Sequence, residues 1–245
     1  MLRPRIIPCL LVANGGLVKT RRFKDPKYVG DPLNAVKIFN EKQVDELCMF
    51  DIGAWKAAAP DFAMLEKIAI ESRMPLCYGG GVVSAEQAQR IVNIGYEKVS
   101  LSSAAIRSVR LVSEVAAAIG GQSAVVTLDV AKDSRSGRHD VYVENGQKKL
   151  PNDLFELCDA VVAAGAGEII INSIDREGEM QGYDIALAKA LSSRIRIPMT
   201  FMGGAGNVQH MRELIAEVGV VGAGAGTMFV FKGPFRAVLI SYARP

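Results

Sequence analysis

A barrel of eight parallel strands, each followed by a helix, is the fold this sequence predicts, and three observations carry it. Short apolar or β-branched runs alternate with helical patterns along all 245 residues, as parallel strands joined by crossover helices require. The chain also reads twice over. IIPCLLV, DELCMFDIGA, PLCYGGGV and GYEKVSLSSAA in the first half return in the same order as AVVTLDV, GEIIINSID, PMTFMGGAG and GVVGAGAGTM, at offsets of 118 (Leu11 to Asp129) to 124 (Gly79 to Gly203). Finally, Leu11-Val12-Ala13-Asn14-Gly15-Gly16 does not fit the GxGxxG fingerprint that an open, doubly wound dinucleotide-binding sheet carries after its first strand. One (β/α)8 barrel domain over 1–245, made of half-barrels of about 1–120 and 121–245, is the expectation.

Local pattern places the elements in order. Strands are expected at 5–12, 46–52, 75–79, 98–102, 124–130, 168–173, 198–202 and 220–224. Helices are expected at 31–42, 61–72, 84–93, 106–119, 152–163, 184–193, 207–218 and 234–242. Asp31, Asp61, Ser84, Asn152, Asp184 and Asn207 stand where an N-cap acceptor is needed. The loop from Ala13 to Gly30 is longer than most in such a fold and carries Lys19, Arg21, Arg22 and Lys24. It reads either as a mobile cationic lid over an anionic ligand or as a solvated surface loop.

Composition removes several classes of function. A hydrophobic content of 49% is ample for a core, yet no apolar run reaches the length of a membrane span. The start MLRPRIIPCLLV is interrupted by Pro8 and has no small-residue cleavage pattern, so a cytoplasmic protein is expected. A net charge of +3, without basic residues interleaved with aromatics, argues against nucleic acid. Cys9, Cys48, Cys77 and Cys158 form no CxxC pair and read as buried thiols rather than metal ligands. His139 and His210 stand beside no cysteine or carboxylate cluster in the sequence, so neither a metal site nor a cofactor is expected.

Chemistry is expected at the C-terminal ends of the strands. Gly79-Gly80-Gly81 follows the third strand and Ser102-Ser103 ends the fourth; Gly203-Gly204 and Gly226-Thr227 are their repeat counterparts. Glycines let backbone N–H groups approach an anion, and neighbouring hydroxyls complete a phosphate cradle. Two sites are therefore expected on opposite sides of the mouth, one at Gly81, Ser102 and Ser103, the other at Gly204, Gly226 and Thr227, suited to a bisphosphorylated ligand. Asp129 ends the fifth strand, but Leu11 holds the equivalent place on the first, so only one carboxylate of a possible pair is present. At the opposite face Arg5, Glu46, Lys98 and Glu168 open strands one, two, four and six, two cations balancing two anions. By itself such a ring reads as a structural salt-bridge plug.

Across its whole length the chain resembles the HisF family, the cyclase subunit of imidazole glycerol phosphate synthase in the histidine pathway. RIIPCL, GDP at Gly30 to Pro32, DEL at Asp45 to Leu47, GGG, EKVS, GAGEI, DRxG at Asp175 to Gly178, GYD at Gly182 to Asp184 and GGAGN at Gly203 to Asn207 carry the resemblance. It implies a partner glutaminase (HisH-like) whose ammonia enters at the ring of Arg5, Glu46, Lys98 and Glu168 and travels up the barrel axis. At the mouth the family cleaves and cyclises a bisphosphorylated ribulose intermediate with two aspartates, which here correspond to Leu11 and Asp129. Lys19 matches a lysine the family uses near its substrate, and Glu177-Gly178 stands at the family's Asp-Gly of the sixth loop. Leucine exchanges no proton, and losing a positioned acid/base group costs about 10²–10⁴-fold in rate. Ring kept and pair halved, the chain is most similar to a divergent, WbuZ-type branch found with a glutaminase and a sugar amidotransferase in surface polysaccharide synthesis. The expected role is ammonia transfer for amidation of a nucleotide-linked sugar. A histidine-pathway cyclase and a barrel that only binds a phosphorylated metabolite are the alternatives.

Overall fold

The β-rich runs pair edge to edge until the sheet meets itself. This computed structural model describes residues 3–245. In chain order the barrel strands are Arg5–Ala13, Leu47–Asp51, Leu76–Gly79, Lys98–Leu101, Ala124–Lys132, Glu168–Ser173, Met199–Met202 and Gly222–Ala225. Each pairs in parallel with the next, and the eighth closes on the first from Arg5↔Gly222 to Pro8↔Ala225. No helix among the described residues is long and apolar enough to cross a membrane.

The helices lie between successive strands and begin where side chains satisfy their free N–H groups. Asp31, Asp61, Ser84, Asp153, Asp184 and Asn207 each accept a bond from the first turn of their helix. Their apolar faces pack on the outside of the sheet, while a separate cluster fills the barrel itself: Ile7, Cys9, Cys48, Cys77, Val125, Ile170 and Met202. The eighth strand, GAGA, makes room for that filling. A Cβ on Gly222 would lie 1.9 Å from Thr200 Oγ1, and one on Gly224 would lie 2.5 Å from Met202 Cγ.

Four expectations need correction. The final helix expected at 234–242 is absent; a four-residue helix, Thr227–Val230, is followed by a hairpin of Phe231–Lys232 with Ala237–Val238. Gly233 at φ 74° turns the chain there, and the β-branched residues that follow favour extension. The helix expected at 106–119 is two, Ser103–Arg107 and Arg110–Ile119, separated by Ser108 in an extended conformation. The helix expected from 152 starts at Leu154 and is capped by Asp153 rather than Asn152. The long first loop is not a mobile strap but an antiparallel hairpin, Gly16–Arg21 with Lys24–Gly30, paired to the first strand. A similar hairpin strand, His139–Val143, pairs with the fifth strand, so strands one and five carry the same extension.

Candidate active site at the barrel mouth

The C-terminal ends of the strands enclose one cavity of about 240 Å³. Leu11, Lys19, Gly81, Ser102, Ser103, Asp129, Glu177, Gly178, Gly204, Gly226 and Thr227 all line it, so the structure brings every mouth residue read from the sequence into one space. Strands one and five stand four places apart round an eight-membered ring, which puts Leu11 and Asp129 on opposite walls.

Asp129 lies beside Asn172 in register on the sixth strand and accepts a bond from Asn172 Nδ2 at 3.0 Å. Burial deep in the barrel pushes its carboxyl up to about 7, outweighing the Asn172 bond that favours the charged form. Ser100 and Thr127 share a 2.6 Å hydrogen bond nearby. On the facing side Leu11 registers against Phe50, and Phe23 and Trp55 add apolar surface beside the carboxylate of Asp51. An acid poised near neutrality therefore has Leu11, which exchanges no proton, across the mouth from it, while Asp51 at the end of the second strand and Lys19 also line the cavity.

Lys19 is buried, and its Nζ donates to Cys9 O at 3.4 Å. Burial lowers its pKa, while Glu177 and Cys9 work in the opposite sense. A Cβ on Gly226 would lie 2.2 Å from Lys19 Nζ, so the ammonium occupies the space a side chain would take at the eighth-strand loop. Glu177 is also buried and accepts from Phe23 N at 3.2 Å, which ties the sixth loop to the first hairpin. Arg21 and Arg22 both pair with Glu179 at 2.7 Å, so these two cations of the hairpin are held at the rim by one shared carboxylate, with one positive charge left over.

The two glycine-rich sides differ in detail. Gly81 at φ 67° and Gly204 at φ 103° take backbone shapes that side chains resist, and a Cβ on Gly204 would lie 2.0 Å from Gly182 O. Ser102 opens the Ser103–Arg107 helix without capping it through its side chain, which leaves the hydroxyl for the cavity. Ser103 Oγ instead accepts from Glu144 N at 2.9 Å. Asn172, Asp51, Phe50 and Trp55 were not singled out in the sequence. Asn172 was legible in principle, as the sixth-strand residue set beside Asp129 by parallel pairing.

At the opposite end the four charged residues meet as a ring. Arg5 pairs with Glu46 and, at 2.6 Å, with Glu168; Lys98 Nζ lies 2.9 Å from each glutamate. Thr200 Oγ1 donates to Glu168 at 2.6 Å. Burial pushes Glu46 up to about 7 against the pull of both cations. For Glu168 burial is overcome by Arg5 and Lys98, which hold it below the usual carboxylate range. His139 Nε2 lies 2.9 Å from Asp184 Oδ2, a contact made across 45 residues and invisible in sequence order.

These features define a (β/α)8 barrel with a chemical mouth at the strand C-termini and a charged closure at the other end. A family described as "Histidine biosynthesis protein" matches residues 5–235. A Leptospira borgpetersenii protein provisionally named imidazole glycerol phosphate synthase subunit HisF is 50% identical over 243 residues, covering 99% of this chain and 96% of that one. A Vibrio vulnificus protein provisionally named as subunit hisF3 is 48% identical, covering 100% of this chain and 95% of that one. Imidazole glycerol phosphate synthase subunit HisF of Oceanobacillus iheyensis is 36% identical, over 89% of this chain and 85% of that one. The chain belongs to the HisF family.

Proposed function

We propose that this barrel receives ammonia from a glutaminase docked on its N-terminal face and passes it along the axis to a mouth that no longer completes the family's cyclase reaction. The observation that carries the reading is the contrast between the two ends. Arg5, Glu46, Lys98 and Glu168 form a closed ion-pair ring, whereas the wall opposite Asp129 is Leu11 and Phe50. A ring of buried charge is a weak way to gain stability, which supports a use for it in transfer. The relative numbered hisF3, at 48% identity, lies nearer this chain than the plainly named HisF at 36%, in keeping with a divergent branch. The ammonia acceptor in this reading is a nucleotide-linked sugar, amidated by a third protein in surface polysaccharide synthesis. The mouth cavity, with Lys19 and the paired glycine loops, holds a phosphorylated molecule during transfer.

Purified HisH-like glutaminase mixed with this chain should hydrolyse glutamine faster than alone, and a strain lacking this chain should lose an amidated sugar from its surface polysaccharide. A glutaminase that neither binds nor responds ends the transfer reading. Growth of a cyclase-deficient strain rescued by this chain, with polysaccharide unchanged, returns it to the histidine pathway.

A further inference from the structure

Three of the four cysteines meet inside the barrel. Cys9 on the first strand registers against Cys48 on the second, and Cys48 against Cys77 on the third. All three side chains point into the interior cluster, so they form one row across three adjacent strands. The carboxylate of Glu46 and the sulfurs of Cys48 and Cys77 lie within 4.8 Å of one another. Two tetrahedral ligands 2.3 Å from a zinc ion stand about 3.8 Å apart, a spacing that side-chain rotation alone can close. All three are free thiols.

We propose that Cys9, Cys48 and Cys77 form a binding site for a soft d10 cation such as Zn(II) or Cu(I), with Glu46 as the nearest further ligand. Thiolates select such ions over hard cations. The site has a way in, because Cys9 and Met202 line the floor of the mouth cavity. Lys19 lies on the mouth side, bonded to Cys9 O, and Lys98 on the ring side, bonded to Glu46, but the buried Cys9 and Cys77 thiols stay protonated, so an entering ion must displace those protons. Cys48 sits between the other two in the strand register. A bound ion stands in the barrel interior between the charged ring and the mouth. It would close the axis to ammonia, so the transfer proposed above belongs to the metal-free chain, and the metal titration tests the site independently of that transfer.

The test is titration of the reduced, chelator-treated full chain with Cd(II), followed by the near-ultraviolet thiolate-to-cadmium band and by proton release. One saturating band per chain is expected, with protons released in step, and Zn(II) should compete it away. Cys48→Val should weaken binding by more than about 100-fold, the upper end of what losing a mere supporting group costs. Cys77→Val and Cys9→Ser should each reduce the band, and they keep the test open if Cys48→Val does not fold. Cys158→Ala should leave it unchanged, since Cys158 lies buried on the outer helix Leu154–Ala163. No band, a band that survives all three interior substitutions, or one that depends on Cys158 overturns the site.

Discussion

In the proposed role Leu11 is the deciding residue, because it stands where an acid would face Asp129. Leu11→Asp restores the second carboxylate to a mouth that still holds Lys19, Glu177 and both glycine loops. The variant, given ammonium and the family's bisphosphorylated substrate, should gain at least about 10-fold over wild type, part of the 10²–10⁴-fold that an acid/base group supplies. No gain would place the loss elsewhere in the mouth. Asp129 carries its own test. Its folded pKa, about 7, lies above the ordinary carboxylate value of 3.8, so folding favours the protonated form. Below about pH 4 the group is neutral in both states; as pH rises towards 7 the unfolded chain ionises first and stability falls. Asp129→Asn keeps an acceptor for Asn172 and removes that loss. The variant should be more stable than wild type at pH 8 by about 1–3 kcal/mol, allowing for screening by water in the cavity, and equal to it at pH 4. Urea unfolding at the two pH values measures it.

The elements show what local pattern could and could not reveal. Strand positions were legible because apolar runs bounded by glycine survive in any tertiary context. The loop glycines were legible because the repeat supplied each twice. What stayed hidden depended on contacts across the chain. The first hairpin is held by pairing to the first strand and by Glu177 and Glu179, more than 150 residues away, so its charges looked free in sequence. The final helix failed because Gly233 and a β-branched tail outweighed a weak helical pattern. The thiol row was hidden because its members are neighbours only through strand register. Two glycines separate steric from ligand-binding roles. Gly226, at φ −112°, has a backbone shape open to other residues, but an added Cβ would lie 2.2 Å from the buried Lys19 Nζ and 3.0 Å from the backbone oxygen of Cys9. Gly226→Ala should therefore push the Lys19 ammonium aside, with a smaller stability loss than Gly204→Ala, and weaken phosphate by about 10-fold or more, the loss of one charge-assisted bond, read by calorimetric titration. Gly204→Ala meets backbone at Gly182 with φ at 103° and should destabilise the fold by more than about 1–3 kcal/mol.

At the scale of the whole molecule, the barrel keeps charge at one end, an apolar and thiol-rich filling in the middle, and a half-acidic mouth at the other. Lys98 tests the charged end. Removing it leaves Glu46 and Glu168 with Arg5 alone, and breaking a buried pair costs about 3–5 kcal/mol. Glu46 already titrates near 7, so protonation relieves the variant at low pH. Lys98→Ala should therefore lose more stability at pH 8 than at pH 5, and should blunt the glutaminase response even where it remains folded. An equal loss at both pH values would mean that the ring is not electrostatically coupled. In the proposed role, ammonia passes through this barrel without being consumed in a cyclase reaction at its mouth. The most direct measurement is turnover of the family's bisphosphorylated substrate by the unmodified chain in saturating ammonium, beside a HisF that has both aspartates. A rate at least about 10²-fold lower is expected, the minimum for a missing acid/base group; an equal rate contradicts the proposed role.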